Sequence, residues 1–397
     1  MDALELLDII SSGETSRVQF KEKLDNDKSI AAEMIAMSNS KGGRIIFGVK
    51  DKRGEISGLG FEELQDYGSR LATIADNLIK PSIFICTEVV SVSDKKVLVI
   101  DIEEGMNKPY KDSQGAIWIK QGPDKRRVTD NNEVKRLFQQ SGNLSADELT
   151  VKGTDINDID EKLFADYFRE EFRQTYQEKA LSFERALQVK RIMRDGEITL
   201  AGLLFFNNSP QTIKPAFTVK AVSFIGNDLS GTEYRSKPSD FKGTIPELFK
   251  QATDFCSANL HHIQKDKKDF NSKGSLEVSH TALEELIVNA LIHRDYFKNA
   301  PVRILIFDNR IEIISPGVLP NSLIVDQIKY GNTVIRNNQI VTFAQHLLPY
   351  SGLGSGIKRA LKEQPDIEFI NDSDGEQFIV KIPRPERVVK KNNDFNS

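Results

Sequence analysis

Residues 281–293 read TALEELIVNALIH. Leu283, Leu286, Ile287, Ala290 and Leu291 fall at i, i+3, i+4, i+7 and i+8, the spacing of one buried helix face. Thr281 and Glu284 have capping-box spacing, which predicts that the helix starts there. Glu285 and Asn289 share the opposite face, one turn apart. An amide oxygen placed there can ligate Mg2+, a hard ion that takes oxygen donors. The carboxylate can orient or deprotonate a water for attack on a terminal phosphate. Taken alone, the pair is better read as a plain solvated helix face.

The pair is not alone. Val302–Phe307 and Arg310–Ile314 read as a hairpin turning at Asp308-Asn309, followed by Ser315-Pro316-Gly317. Further on, Gly352-Leu353-Gly354-Ser355-Gly356-Ile357 leads into a helical stretch. A glycine-rich turn that opens a helix lets backbone N–H groups approach phosphate, helped by the helix dipole. In isolation such a turn also fits a flexible loop. Residues 374–383, DGEQFIVKIP, read as a turn and a closing strand.

In this order the motifs resemble the GHKL ATPase fold, an α/β sandwich. ELIVNALIHRDY, FDNRIEIISPGVLP, the Arg336-Asn337 pair and GLGSGI are most similar to a divergent GHKL domain of proteins labelled RecG-like helicases or transcriptional regulators. The resemblance implies ATP and Mg2+ as cofactors. It implies Glu285 as the catalytic carboxylate and Asn289 as the metal ligand. Ser315, Gly317, Arg336, Asn337, Gly352, Gly354 and Gly356 then contact nucleotide. Ser315 stands where the family pattern has an aspartate that reads the adenine amino group; a serine hydroxyl can hydrogen-bond there without the fixed charge. Asp308 is an alternative reader. No GxxxxGK[ST] loop occurs, so a helicase motor is not expected.

Near the N-terminus, residues 14–22 (ETSRVQFKE) and 39–49 (NSKGGRIIFGV), continued by Asp51, Gly54 and Ile56–Leu59, resemble the Schlafen AlbA-type domain. The resemblance spans roughly residues 10–125 and implies a mixed α/β nucleic-acid-binding domain. Lys21, Lys41 and Arg44 could meet phosphates, as could Lys125, Arg126 and Arg127 with Lys120 nearby. Such contacts give salt-sensitive, weakly sequence-specific binding to DNA or RNA. Each cluster also fits ordinary solvated charge. Some Schlafen-type domains are nucleases with an acidic triad. Glu14 matches the first acid and Asp51 could supply the third, but Gln19 stands at the second, and an amide supports Mg2+ less well than a carboxylate.

The chain has 397 residues, too many for one compact core. We expect an α+β multi-domain protein: an AlbA-like domain over 1–140, a connecting α+β domain over 145–275, a GHKL domain over 276–385 and a disordered tail over 386–397. The net charge of −4 requires any nucleic-acid contact to come from a local patch. No apolar run is long enough to span a membrane, and MDALELLDII carries acids where a signal peptide is basic, so a cytoplasmic site is expected. Cys86 and Cys256 have no metal-ligand or disulfide spacing and are expected in the core. The functional expectation is an ATP-responsive, homodimeric regulator that binds DNA or RNA. The alternatives are an ATP-gated nuclease and a non-hydrolysing scaffold.

Overall fold

The computed structural model describes residues 1–50, 54–231, 233–263, 275–320 and 323–385. It divides into two compact units, Met1–Leu144 and Ser145–Ser397.

In the first unit the described elements include α1 (Ala3–Ser12), β1 (Val18–Lys21), α2 (Asp27–Asn39), β2 (Gly43–Phe47), α3 (Phe61–Asn77), β3 (Ile85–Val92), β4 (Lys95–Ile102), β5 (Trp118–Gln121), β6 (Asp124–Arg127) and α4 (Asn131–Gln140). Four strands form one sheet in the order β1-β2-β4-β3. β1 and β2 run parallel, joined through α2, whose residues from Ile30 to Asn39 are all buried. The pleat sends Ile45 and Phe47 to the face covered by α2 and α3, and Ile46 to the opposite face, where Leu6 of α1 packs. The expected β3–β4 hairpin is present, turning at Ser93-Asp94. Cys86 on the edge strand β3 is exposed, contrary to expectation; it begins a run of four exposed residues, Cys86 to Val89, on that outer strand. Asp51 lies outside the described residues.

In the second unit the site is framed by α5 (Glu161–Phe172), α6 (Leu200–Phe206), β7 (Val219–Phe224), β8 (Tyr234–Phe241), α7 (Ile245–Asn259), α8 (His280–Ile292), β9 (Val302–Ile306), β10 (Arg310–Pro316), α9 (Asn338–Leu347), α10 (Gly356–Glu363), β11 (Glu368–Asp372) and β12 (Gln377–Pro383). Six strands form one sheet in the order β8-β7-β9-β10-β12-β11, with only the β7–β9 pair parallel. Residues 145–275 do not stand apart as a connecting domain. Their strands β7 and β8 extend the sheet of the C-terminal segment, and α6 and α7 join its hydrophobic core. The apolar run ending at Phe206 is a fully buried helix, capped by Thr199 Oγ1 accepting from Gly202 N–H at 3.2 Å. Its Phe205 and Phe206 pack edge-on against Phe343 of α9.

Helix α8 is capped two residues earlier than its capping-box pattern predicts. Ser279 is the N-cap, its hydroxyl accepting from Ala282 N–H, so Thr281 already lies inside the first turn. The expected tail, 386–397, lies outside the described residues. Among the described residues no helix is long and apolar enough to cross a membrane.

Candidate functional site

One cavity, of about 1020 Å³ including its open mouth, lies between α8, the β10–β12–β11 part of the sheet and the loops around residues 317–334 and 350–356. Its wall includes Glu285, Asn289, Ser315, Gly317, Gly352, Gly354 and Gly356. Seven of the expected nucleotide-site residues, drawn from three separate stretches of chain, therefore meet in one hollow.

Both α8 side chains face this hollow, although the pattern alone favoured a solvated face. Glu285 is only 6% exposed. One carboxylate oxygen pairs with the Arg359 guanidinium of α10. The other lies so close to Gly356 that a Cβ there would fall on it, and the same Cβ would sit 3.4 Å from Asn289 Nδ2. Asn289 Nδ2 donates to the Glu285 backbone carbonyl at 2.5 Å, which fixes the amide's orientation and leaves Oδ1 as acceptor.

Ser315 lies on β10, paired with Phe378 of β12. Its Oγ donates to the Ala290 carbonyl at 2.9 Å. With its proton committed, the hydroxyl can only accept from a ligand. Gly317 has φ +98° and Gly354 φ +69°, a region closed to most side chains. A Cβ on Gly317 would also strike Asp295, and one on Gly354 would strike the Gly331 carbonyl, so each glycine permits a close crossing of backbone.

Arg336 and Asn337 stand outside the cavity wall. Asn337 is fully buried and donates to the Ile292 and Arg294 carbonyls at 2.8 and 2.9 Å, closing the C-terminal end of α8. Arg336 donates to the Val318 carbonyl at 2.5 Å; burial lowers its pKa, and the negative charge of Asp295 opposes that. Both residues brace the wall from behind. Asp308 accepts from Gly226 N–H at 2.8 Å and pairs with Arg235 at 2.7 Å, away from the cavity.

Sequence reasoning missed three wall residues. Arg359 is the ion partner of Glu285. His293 Nε2 lies 3.0 Å from the Tyr350 hydroxyl. Burial, followed by the positive charge of Arg336, pushes the His293 pKa down to about 4, so the ring is neutral near pH 7. Burial raises the Tyr350 pKa, and the negative charge of Glu285 adds to the rise. Arg359 follows the glycine turn by one helical turn, and that spacing is the only signal that could have found it.

In the first unit, Glu14 accepts from the Gln19 amide and from Phe20 N–H, the latter at 2.9 Å. Gln19 Oε1 in turn accepts from Lys120 Nζ at 3.1 Å, and Lys120 reaches Glu33 at 2.5 Å. Lys125 holds the other oxygen of Glu33 at 2.9 Å. Arg44 pairs with Asp101 at 2.6 Å and with Glu5 at 3.2 Å, and Arg126 is held by Glu133. Lys21 is half-buried, while Lys41 and Arg127 are exposed. Four acids thus neutralise most of the basic residues expected to meet phosphate. Among the described residues no group of three or more His, Cys, Asp or Glu side chains could hold a metal ion.

Comparison with known proteins matches three segments of the chain. Residues 14–129 match the family described as "Schlafen, AlbA_2". Residues 299–381 match the family described as "Putative ATP-dependent DNA helicase recG C-terminal" (HATPase_c_4). Residues 135–219 match a domain of unknown function, DUF8451. Helix α8, with Glu285 and Asn289, lies upstream of the HATPase_c_4 match. No curated protein matches the chain. Among solved structures, the DIP2311 protein from Corynebacterium diphtheriae is 18% identical, covering 97% of this chain and 80% of that one at a TM-score of 0.46. The N-terminal domain of a RecG-related protein from Nitrosomonas europaea is 22% identical, covering 33% of this chain and 96% of that one at a TM-score of 0.26. The chain thus combines a Schlafen AlbA_2-type domain with a RecG-type HATPase domain, an α+β multi-domain architecture.

Proposed function

We propose that the second unit binds and slowly hydrolyses Mg-ATP, and that this reaction controls nucleic-acid binding by the first unit. The observation that carries the reading is the meeting of Glu285, Asn289 and Gly356 in one cavity. Gly356 opens α10 at the cavity wall, and the backbone N–H groups of that first turn suit a phosphate. Asn289 Oδ1 is an oxygen donor of the kind Mg2+ takes. When bound, the ion would offset phosphate charge and polarise the terminal phosphoryl group.

The chain's own residues supply the rest. Glu285 accepts a proton from, or orients, the attacking water. Ser315 Oγ, its proton given to Ala290, accepts from an amino group on the base. Arg336 and Asn337 keep the Gly317 wall and the end of α8 fixed.

Steady-state phosphate release tests the proposal. Wild type should turn over only in the presence of Mg2+. Glu285→Gln should retain nucleotide binding and lose activity by roughly 10²- to 10⁴-fold, the range for a removed general base. Equal turnover by wild type and variant would refute the assignment of Glu285.

A further inference from the structure

The pairing of Glu285 with Arg359 conflicts with the role proposed for the carboxylate. A carboxylate oxygen held by a guanidinium is not free to accept from a water. The two partners are unequally placed: Glu285 is 7% exposed at its side chain and Arg359 is 46% exposed. The arginine reaches in from the first turn of α10, directly after the glycine turn, and is itself part of the cavity wall. Its half-exposed side chain can turn toward a ligand in the cavity. The carboxylate stays inside the cavity, and left unpaired it would be a buried charge without compensation.

We infer that Arg359 is an electrostatic latch, holding Glu285 until the terminal phosphate of a bound nucleotide takes the guanidinium away. The inference rests on the Mg-ATP reading of the cavity and assigns its regulation. A guanidinium matches a phosphate in planar, bidentate fashion at least as well as it matches a carboxylate. The exchange balances in charge. The phosphate would take the arginine, and a cation held by Asn289 Oδ1 would compensate the freed carboxylate. An empty site therefore keeps its base disabled, and a diphosphate, which lacks the last anionic group, leaves the latch closed. The same ion pair ties α10 to α8, so its release also frees the glycine turn to settle on the phosphates.

Calorimetric titration of the full chain with ATP and with ADP, both with Mg2+, tests the latch. Arg359→Gln should weaken ATP binding by about tenfold, the equivalent of one lost charge-assisted hydrogen bond, and ADP binding by less than about twofold. Arg359→Lys, which keeps the charge, should fall between wild type and Arg359→Gln. Glu285→Gln removes the competitor for the arginine and should tighten ATP binding by several-fold, a gain that a merely structural ion pair would not give. If wild type binds neither nucleotide, the Mg-ATP reading fails and the latch with it. If wild type binds ATP but Glu285→Gln binds it no more tightly, the latch alone is overturned.

Discussion

Glu285 and Gly356 show how much a single atom decides in this cavity. The carboxylate lies where a Cβ on residue 356 would be, yet it ends a flexible side chain and can swing aside. Gly356→Ala should therefore change the unfolding temperature little while displacing the carboxylate, so that phosphate release falls by at least about tenfold with the fold intact. Circular dichroism melts run beside the activity assay check both halves. The cysteines give a second test at this scale. Cys256 is fully buried, and burial pushes its thiol pKa up to about 12, while Cys86 is exposed. A thiol reagent should label one cysteine of the native chain quickly and the second only after denaturation. Equal labelling rates would contradict the packing of α7. At this scale the sequence was informative where one helix carried the pattern, as with Glu285 and Asn289. It was silent on Arg359, 74 residues beyond Glu285, because an ion pair between distant segments leaves no periodic trace.

Among the elements, α9 is held in a way no local pattern announces. Asp147 accepts from the backbone N–H groups of Gln339 and Ile340 at 2.7 and 3.0 Å, capping the first turn of a helix about 190 residues away in sequence. Its carboxyl is fully buried, and burial outweighs the two hydrogen bonds, raising the pKa to about 6. A raised carboxyl pKa means that the folded state binds the proton more tightly than the unfolded chain. Asp147 therefore costs stability as pH rises from about 4 to about 6, by an amount on the order of 3 kcal/mol at most. His293, with its pKa lowered to about 4, acts in the opposite sense and adds stability as pH rises through 4 to 6.5. Asp147→Asn keeps an acceptor for α9 and removes the first effect. Its melting temperature should climb more steeply between pH 4 and 6 than that of wild type, and parallel curves would contradict the assignment. Strands and hairpins were legible because alternation and turn residues are local. The join of β7 to β9 was not, because a parallel pairing depends on chain about 80 residues away.

The whole molecule carries a net charge of −4, and part of the basic set expected to meet phosphate is occupied. Arg44, Lys120, Lys125 and Arg126 all lie in ion pairs, and of the sites expected to meet phosphate Lys41 and Arg127 remain exposed. Two such cations predict a shallow salt dependence. The logarithm of the duplex affinity should fall against the logarithm of salt with a slope near about −2, compared with about −5 if six sites were engaged. Fluorescence anisotropy across a salt series measures that slope, and a flat line would remove phosphate contacts from the account. The division into an N-terminal AlbA-like part and a C-terminal HATPase-like part was readable from short motifs. The incorporation of residues 145–275 into the second unit was not, because their strands carry no chemistry and only the completed sheet reveals where they belong. The account as a whole depends on the cavity taking a magnesium-bound triphosphate through Asn289. Melting temperature with saturating ATP, measured with and without Mg2+ on wild type and Asn289→Ala, tests this most directly. At about 100 times the dissociation constant, ATP with Mg2+ should raise the wild-type melting temperature by about 5–10 °C, with much of the gain lost on chelation or in the variant. An unchanged wild-type melting temperature, or a gain indifferent to both Mg2+ and Asn289, would contradict the account.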